Sequence, residues 1–574
     1  MDVPLPVEAR SRRAHVTDAV VGPGGRAAWI AVDGRDAQCW AADPGGAPRA
    51  VAATARPHSS GNGFVSFVGD HGLALVDPAG ALVLVDLASG SRRELVAGPV
   101  ATGLVATVAG DAIAASFDDG VSCVVQIVDV ATGDSLVVSH ADFAWDPTWS
   151  PDGRTLVWHE WDLPNMPWDA SRIVAYDRAT AATRVVAGGD DVAVGQPRFA
   201  PDGTLGWLSD AAGWYVVTTA DGPLATGAEH APAALGPGQR SWTWVDHGRA
   251  VWCTEYDDGL VRAVRVARDG TVHAAGAGRV YALDARDGHD IAVQVLPDAP
   301  GAVVLDGRVL ATSDAARPVP SARRVEWESD GERVTGLLWE PADGAGDRPL
   351  LVEVHGGPVG AAVADYSTAL NAAYWTSRGW SVLQPNPRGS TGRGRAFTRA
   401  LMGQWGVADV ADVVHGIEAA RHYQWCSPDR IVVSGGSAGG FTALLVALRH
   451  AELVRAAVVS YPVTDLAECA ADTWRFESGY IDTLVGSLPE SEAMYRERSP
   501  ITHAPDLQVP LLVFQGADDV VVPEHQVRAL VERAPGSVEY VVFEGEGHGF
   551  KDPQNVRTEM DRTEAFLTRY VLEP

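Results

Sequence analysis

Lysine is all but absent: Lys551 is the only one, so almost every cation is an arginine, and 74 acidic residues outnumber 45 basic ones for a formal net charge of −29. A surface of that sign repels phosphate backbones and anionic headgroups, which argues against nucleic acid or an anionic membrane as partner. Cysteine is scarce as well. Cys39, Cys123, Cys253, Cys426 and Cys469 are odd in number and widely scattered, with no C-x-x-C spacing. A disulfide framework, a zinc knuckle and a dithiol redox motif are thereby excluded, and the thiols are read as reduced. No uninterrupted apolar run reaches membrane length, and the opening Met1-Asp-Val-Pro-Leu-Pro lacks a signal-peptide pattern. These absences lead to the expectation of a soluble, cytoplasmic protein.

What is present divides into two halves. A chain of 574 residues exceeds one hydrophobic core. From Ala14 to about Ser313 short apolar runs alternate with turn signals such as Pro-Gly-Gly, Asp-Asp-Gly and Pro-Asp-Gly, which reads as all-β. Trp149-Ser-Pro-Asp-Gly-Arg-Thr-Leu-Val-Trp158 and Phe199-Ala-Pro-Asp-Gly-Thr-Leu-Gly-Trp207 are the same unit twice, and weaker echoes follow Leu82 and Ile127. A period of about forty residues predicts a β-propeller of around seven blades, with a pair of β-sandwiches as the alternative. The expected division is a propeller over residues 1–320 and a catalytic domain over 321–574.

In the second half the apolar run from Arg430 enters Gly435-Gly436-Ser437-Ala438-Gly439 and then a helical stretch from Thr442 to Arg449. A strand, a G-x-S-x-G turn and a helix make a nucleophile elbow, in which a tight turn exposes the serine at a helix N-terminus. The partners follow in the order an α/β-hydrolase requires. A buried strand from Pro510 ends at Asp518-Asp519, and the next, from Val538, ends in Gly545-Glu-Gly-His548-Gly. His548 is the expected general base and Asp518 its orienting acid, with Asp519 as the rival and helix capping as the bland use of either carboxylate. The oxyanion donors are expected from the backbone N–H groups of Ala438 and of Gly357, in the loop His355-Gly356-Gly357-Pro358 after an earlier strand. His355 receives no chemical step.

The stretch Trp158-His-Glu160-Trp161-Asp162-Leu-Pro-Asn-Met-Pro-Trp168 interrupts the β rhythm. His159-Glu160 does not begin a metalloprotease helix, because the second histidine is missing and Pro164 blocks the helix. Glu160, Asp162 and Trp168 are candidate substrate contacts, with Glu160 or Asp162 pairing a substrate amine; an elaborated blade turn with capping carboxylates is the equal alternative.

Taken together, His355-Gly-Gly-Pro358, Asn386-Pro-Arg-Gly-Ser-Thr-Gly392, Gln404-Trp-Gly-Val-Ala-Asp409-Val-Ala-Asp412, Gly435-Gly-Ser437-Ala-Gly-Gly440, Asp472-Thr-Trp-Arg-Phe-Glu477, Gly516-Ala-Asp518-Asp519 and Gly545-Glu-Gly-His548-Gly-Phe550 resemble the prolyl oligopeptidase family of serine peptidases, in its acylaminoacyl-peptidase or dipeptidyl-aminopeptidase-like bacterial branch. The resemblance implies an α/β-hydrolase domain with a mostly parallel, doubly wound sheet, capped by the propeller, acting on short peptides. Val520-Val521-Val522 follow Asp519 where several relatives carry an arginine or asparagine, and Arg393 and Ala438 stand where many have tyrosine, so proline preference is not carried over. The expected activity is hydrolysis of amides in short peptides or aminoacyl conjugates, without metal or organic cofactor; an esterase or biosynthetic acyltransferase on the same triad is the alternative. A non-catalytic binding protein is the third class. Self-association is left open.

Overall fold

The computed structural model describes residues 4–7, 15–34, 36–57, 63–98, 100–313, 315–344 and 346–573. They form two compact units. One comprises Ala14–Tyr256 and Val261–Ala316; the other comprises Met1–Arg13, Asp257–Leu260 and Arg317–Pro574. The expected boundary at 320 therefore moves to 316, and two short segments join the C-terminal unit. Residues 4–7 do so because Leu5 and Val7 are buried and the Leu5 backbone exchanges hydrogen bonds with Ser377 Oγ (2.9 Å) and Arg378 Nη1 (2.9 Å). The Asp257–Leu260 turn does so through Asp258, whose carboxylate meets Arg333 Nη2 at 2.9 Å and whose amide donates to the Gly392 carbonyl at 3.0 Å.

The first unit is a β-propeller made of seven four-stranded antiparallel meanders, with one parallel bridge from Cys123 to Phe143 joining the third to the fourth. Their innermost strands are His15–Val21, Val65–Val68, Val100–Ala106, Phe143–Trp149, Val194–Phe199, Trp242–Val245 and Arg279–Arg286. On or just before each of these sits one left-handed residue: Asp18, Gly63, Gly103, Asp146, Gln196, Gly238 and Ala282. Register shifts at Thr17/Ala19, Trp145/Thr148, Gly195/Arg198 and Tyr281/Asp284 mark the same place as a bulge, which bends each strand where the blades crowd together.

The repeated turn signals are aspartates that close the outer hairpins. Asp86, Asp129 and Asp177 each accept two backbone amides, from residues two and three further on, at 2.7–3.1 Å. Those N–H groups hold all three carboxyls below their ordinary pKa range. The ring closes between first and last blades without a shared strand. Val16 and Trp29 pack with Ile291, Val293 and Val303, and Asp284 Oδ2 accepts the Val21 amide at 3.0 Å.

In the second unit eight strands form one sheet: β1 (Arg323–Ser329), β2 (Glu332–Trp339), β3 (Leu350–Val354), β4 (Ser381–Asn386), β5 (Ile431–Gly436), β6 (Ala456–Ser460), β7 (Leu511–Gly516) and β8 (Val538–Phe543). The spatial order is β1-β2-β4-β3-β5-β6-β7-β8, parallel from β4 onward. That order is an α/β-hydrolase sheet, as expected. The strands read as continuous Val/Ile/Leu runs because helices cover both faces. The helices used below are α1 (Tyr366–Thr376), α2 (Ala408–His422), α3 (Ala438–Arg449), α4 (Glu524–Arg533) and α5 (Pro553–Leu567). Phe441, Leu444 and Leu445 of α3 are fully buried, which anchors the helix whose N-terminus carries Ser437.

Candidate active site

Strand β5 passes into α3 through Ser437, whose φ of 56° and ψ of −127° place a non-glycine residue in a strained region. The flanking glycines are required by contact, not by dihedral freedom. A Cβ at Gly435 would lie 2.4 Å from the Gly439 carbonyl oxygen, and one at Gly439 would lie 2.2 Å from that of Val354. The turn is thus clamped between its own helix start and strand β3. The Ser437 amide is used up on the Ser460 carbonyl at 3.1 Å. Ala438, the first residue of α3, has no intrahelical acceptor for its N–H and is free to donate outward.

The loop after β3 runs beside this turn: a Cβ at Gly356 would sit 3.5 Å from Ser437 Cβ. His355 fixes that loop. Its Nε2 bonds Ser390 Oγ at 2.9 Å and its Nδ1 the Gly356 carbonyl at 2.8 Å, while burial lowers its pKa. Gly357 follows with φ of 135°, a value that favours glycine.

His548 lies beyond β8. Its Nδ1 meets Asp519 Oδ2 at 2.8 Å, with the aspartate side chain 0% and the imidazole 24% exposed. This corrects the assignment of Asp518. Past Gly516 the chain packs against residues 546–547, the Asp518 amide donates to the Glu546 carbonyl at 2.8 Å, and the Asp518 side chain faces solvent while the next one faces inward. Asp519 also closes the turn before α4, since its Oδ1 accepts the Val521 and Val522 amides, each at 2.9 Å. The two uses expected of the carboxylate pair fall on one residue.

Serine and histidine are linked across the site by Tyr461, a residue the sequence did not single out. Its ring lies 4.7 Å from that of His548, and a Cβ on Gly436 would come within 3.2 Å of its hydroxyl. Tyr461 has φ of 40° and its amide is held by the Phe514 carbonyl at 2.7 Å. Glu477, quoted above only within a motif, is a second such residue. Burial pushes its carboxyl above the ordinary range, partly offset by a hydrogen bond with Trp474 and, less, by the charge of His548.

Beside the elbow, a cavity of about 410 Å³ extends under β3–β6, lined by Glu353, Gln384, Ser434, Ser460, Tyr461 and Glu559 among others. Polar residues on a covered sheet face are the informative exception in an otherwise apolar sheet. Gln384 Nε2 donates to Glu353 Oε2 at 2.6 Å and Ser460 Oγ to Glu559 Oε1 at 2.7 Å.

The proposed substrate contacts on the propeller are placed differently. Glu160 lies within a strand, Thr155–Trp161, and both of its oxygens are engaged, by Trp158 Nε1 at 2.6 Å and Arg172 Nε at 2.8 Å. Arg172 also binds Asp162 at 2.7 Å. Both carboxylates thus already pair with one arginine of the same blade. Trp168 is half-buried in the turn that follows. His159 is fully buried, neutral, with its pKa lowered to about 3 by desolvation, and packs 5.0 Å from the Trp161 ring. Among the described residues no cluster of three or more His, Cys, Asp or Glu could hold a metal, and no helix is long and apolar enough to cross a membrane.

Comparison with known proteins places this geometry. The chain is similar, over 99% of its length and 97% of the other's, to a puromycin-hydrolyzing peptidase of Mycobacterium tuberculosis, with TM-score 0.89 and 25% identity. A puromycin hydrolase structure matches with TM-score 0.86 and 26% identity over 99% and 96% of the two chains. Dipeptidyl aminopeptidase BIII of Pseudoxanthomonas mexicana is 30% identical over 237 residues, or 40% of this chain and 34% of that protein. The chain matches about a third of the length of such curated relatives. Residues 366–573, which carry the elbow, the aspartate and the histidine, match the model of the prolyl oligopeptidase family.

Proposed function

We propose that the protein is a serine hydrolase that cleaves amide bonds of short peptides or aminoacyl conjugates through Ser437, His548 and Asp519. The observation that carries this reading is the buried Asp519–His548 bond at the end of β7 and β8, bridged by Tyr461 to the strained strand–helix turn that carries Ser437. Ser437 Oγ attacks the carbonyl carbon while His548 Nε2 takes its proton. Asp519 fixes the tautomer and stabilises the imidazolium. The N–H groups of Ala438 and Gly357 receive the oxyanion, the imidazolium protonates the departing amine, and an acyl-enzyme remains. Water, deprotonated by the same histidine, then releases the acid.

The relatives' names, which speak of puromycin hydrolysis and dipeptidyl release, support an amide substrate bearing a small aminoacyl or peptidyl group.

The test is turnover of free aminoacyl, dipeptidyl and N-acylated aminoacyl anilides by the protein and by Ser437→Ala. Release of aniline from at least one class, abolished in the variant, is expected. Release of alcohol from esters alone, with no anilide cleaved, would replace the peptidase with an esterase, and failure of a serine-reactive phosphonate to label Ser437 would end the hydrolase reading.

A further inference from the structure

The propeller's innermost strands surround a cavity of about 250 Å³ lined by Asp146, Gln196, Arg198, Gln239, Arg240 and Asp284 among others. Most arginines of this unit meet a carboxylate directly: Arg240 binds Asp18, Arg265 binds Asp290 at 2.7 Å, and Arg172 binds Glu160 at 2.8 Å. Arg198 does not. Its Nε is buried with no hydrogen-bond partner among the described residues, although its strand is pinned by Trp244 Nε1 donating to its carbonyl at 3.1 Å.

Opposite charge is present in the same cavity but is committed elsewhere. Asp146 Oδ1 accepts the Gly238 amide at 2.7 Å, and Asp284 accepts the amides of Val21 and Ala285, each at 3.0 Å. Both carboxylates are within electrostatic reach of Arg198 without forming an ion pair with it. Burial raises Asp146 to about 6, partly offset by the Gly238 N–H, Arg198 and Arg240. An arginine without a carboxylate and a carboxylate without a cation, held apart in one cavity, each retain an unmet demand for the opposite charge.

We infer that this cavity is a binding site for a small zwitterion, a free α-amino acid or dipeptide, whose carboxylate is held by Arg198 and whose ammonium faces Asp146 and Asp284. The guanidinium offers a planar pair of donors that matches a carboxylate. Asp146 and Gln196, both at positive φ, line this cavity, so the Asp146 carboxylate is positioned before a ligand arrives. The inference concerns the propeller alone and does not depend on the peptidase reading.

The test is saturation-transfer NMR and calorimetry on the full-length Ser437→Ala protein with glycine and diglycine, and with acetate and methylammonium as half-ligands. One saturable site is expected for the zwitterions, with each half-ligand weaker by at least about tenfold. Arg198→Met and Asp146→Asn should each weaken glycine or diglycine by a similar factor, and Arg198→Lys should lie between. No saturable binding up to roughly ten times a millimolar Kd, half-ligands as tight as the zwitterions, or binding indifferent to both variants would overturn the inference. The half-ligand comparison needs no propeller variant and stands even if one fails to fold.

Discussion

Replacing Asp519 with asparagine isolates the contact on which the active-site assignment turns. The wild-type carboxylate accepts from His548 Nδ1 at 2.8 Å in a fully buried position, with its second oxygen held by the Val521 and Val522 amides. Asparagine is nearly the same size. With its carbonyl oxygen kept on those two amides, its NH2 points at Nδ1, which must then accept, so the proton moves to Nε2. The base can no longer take the serine proton, and the imidazolium loses its counter-ion. Loss of tautomer control and charge stabilisation in a triad costs about 10³- to 10⁴-fold in kcat, or about 4–5.5 kcal/mol of barrier. The same change at Asp518, whose side chain faces solvent and whose contact to the histidine loop is made by its backbone, should alter kcat by less than about twofold. Both variants are assayed as kcat on the best anilide substrate, with thermal denaturation as a folding control. A folded Asp519→Asn protein with near-normal kcat, or an Asp518→Asn protein that has lost it, would refute the reasoning.

Three further outcomes are expected. Asp409, buried and bonded to Thr442 Oγ1 and the Gly406 amide, has its carboxyl raised from 3.8 to about 6 by desolvation. Because the folded state binds this proton more tightly than the unfolded chain, its contribution is most favourable below pH 4 and declines as pH rises to about 6; wild-type stability relative to Asp409→Asn should fall by about 3 kcal/mol over that window in urea titrations, and a constant difference would contradict it. Gly439→Ala places a methyl group 2.2 Å from the Val354 carbonyl oxygen and should cost at least about 3 kcal/mol along with activity, read by chemical denaturation; an undisturbed variant would show the clamp to be unimportant. Arg172→Met strips Glu160 of its counter-ion and, with the arginine about a third exposed, should destabilise the propeller by about 2 kcal/mol, whereas Glu160→Gln should leave the ratio of Michaelis constants for free and N-acetylated anilides unchanged; a rise confined to free-amine substrates would restore Glu160 as an amine receptor.

The fold was legible because its signals are local and repeated. Turn aspartates such as Asp86, Asp129 and Asp177 recur in the sequence for the same reason they recur in the structure, namely that an acceptor two residues before a tight turn satisfies amides a strand end leaves open. The seven-fold count followed from spacing. What spacing could not deliver is membership at the seams. Leu5 and Asp258 belong to the catalytic unit through hydrogen bonds to residues more than 70 positions away, at Ser377 and Arg333, and no local pattern encodes those partners. Glu160 illustrates the opposite case. A carboxylate amid aromatics and prolines looks available in one dimension, and its neutralisation by Arg172 becomes visible only when two antiparallel strands place residues 160 and 172 opposite each other.

Within the site, chain order pointed to Ser437 and His548; the glycines beside Ser437 answer to contacts of 2.2–2.4 Å that any side chain would violate, whereas Gly547 beside His548 meets nothing closer than 3.5 Å. The choice between Asp518 and Asp519 had no such marker, since both follow the same strand and both can cap the same turn. The acid loop is joined to the histidine loop by a main-chain hydrogen bond, Asp518 N to Glu546 O, and of the two consecutive side chains Asp519 faces inward. That bond is made by backbone atoms common to every residue type, so it leaves no trace in composition. Tyr461 was missed for a related reason. It follows an ordinary apolar strand, and its role depends on a left-handed φ that brings its ring to both Gly436 and His548. Residues that act through glycines and strand ends are written in the sequence; residues chosen by backbone pairing between distant loops are not.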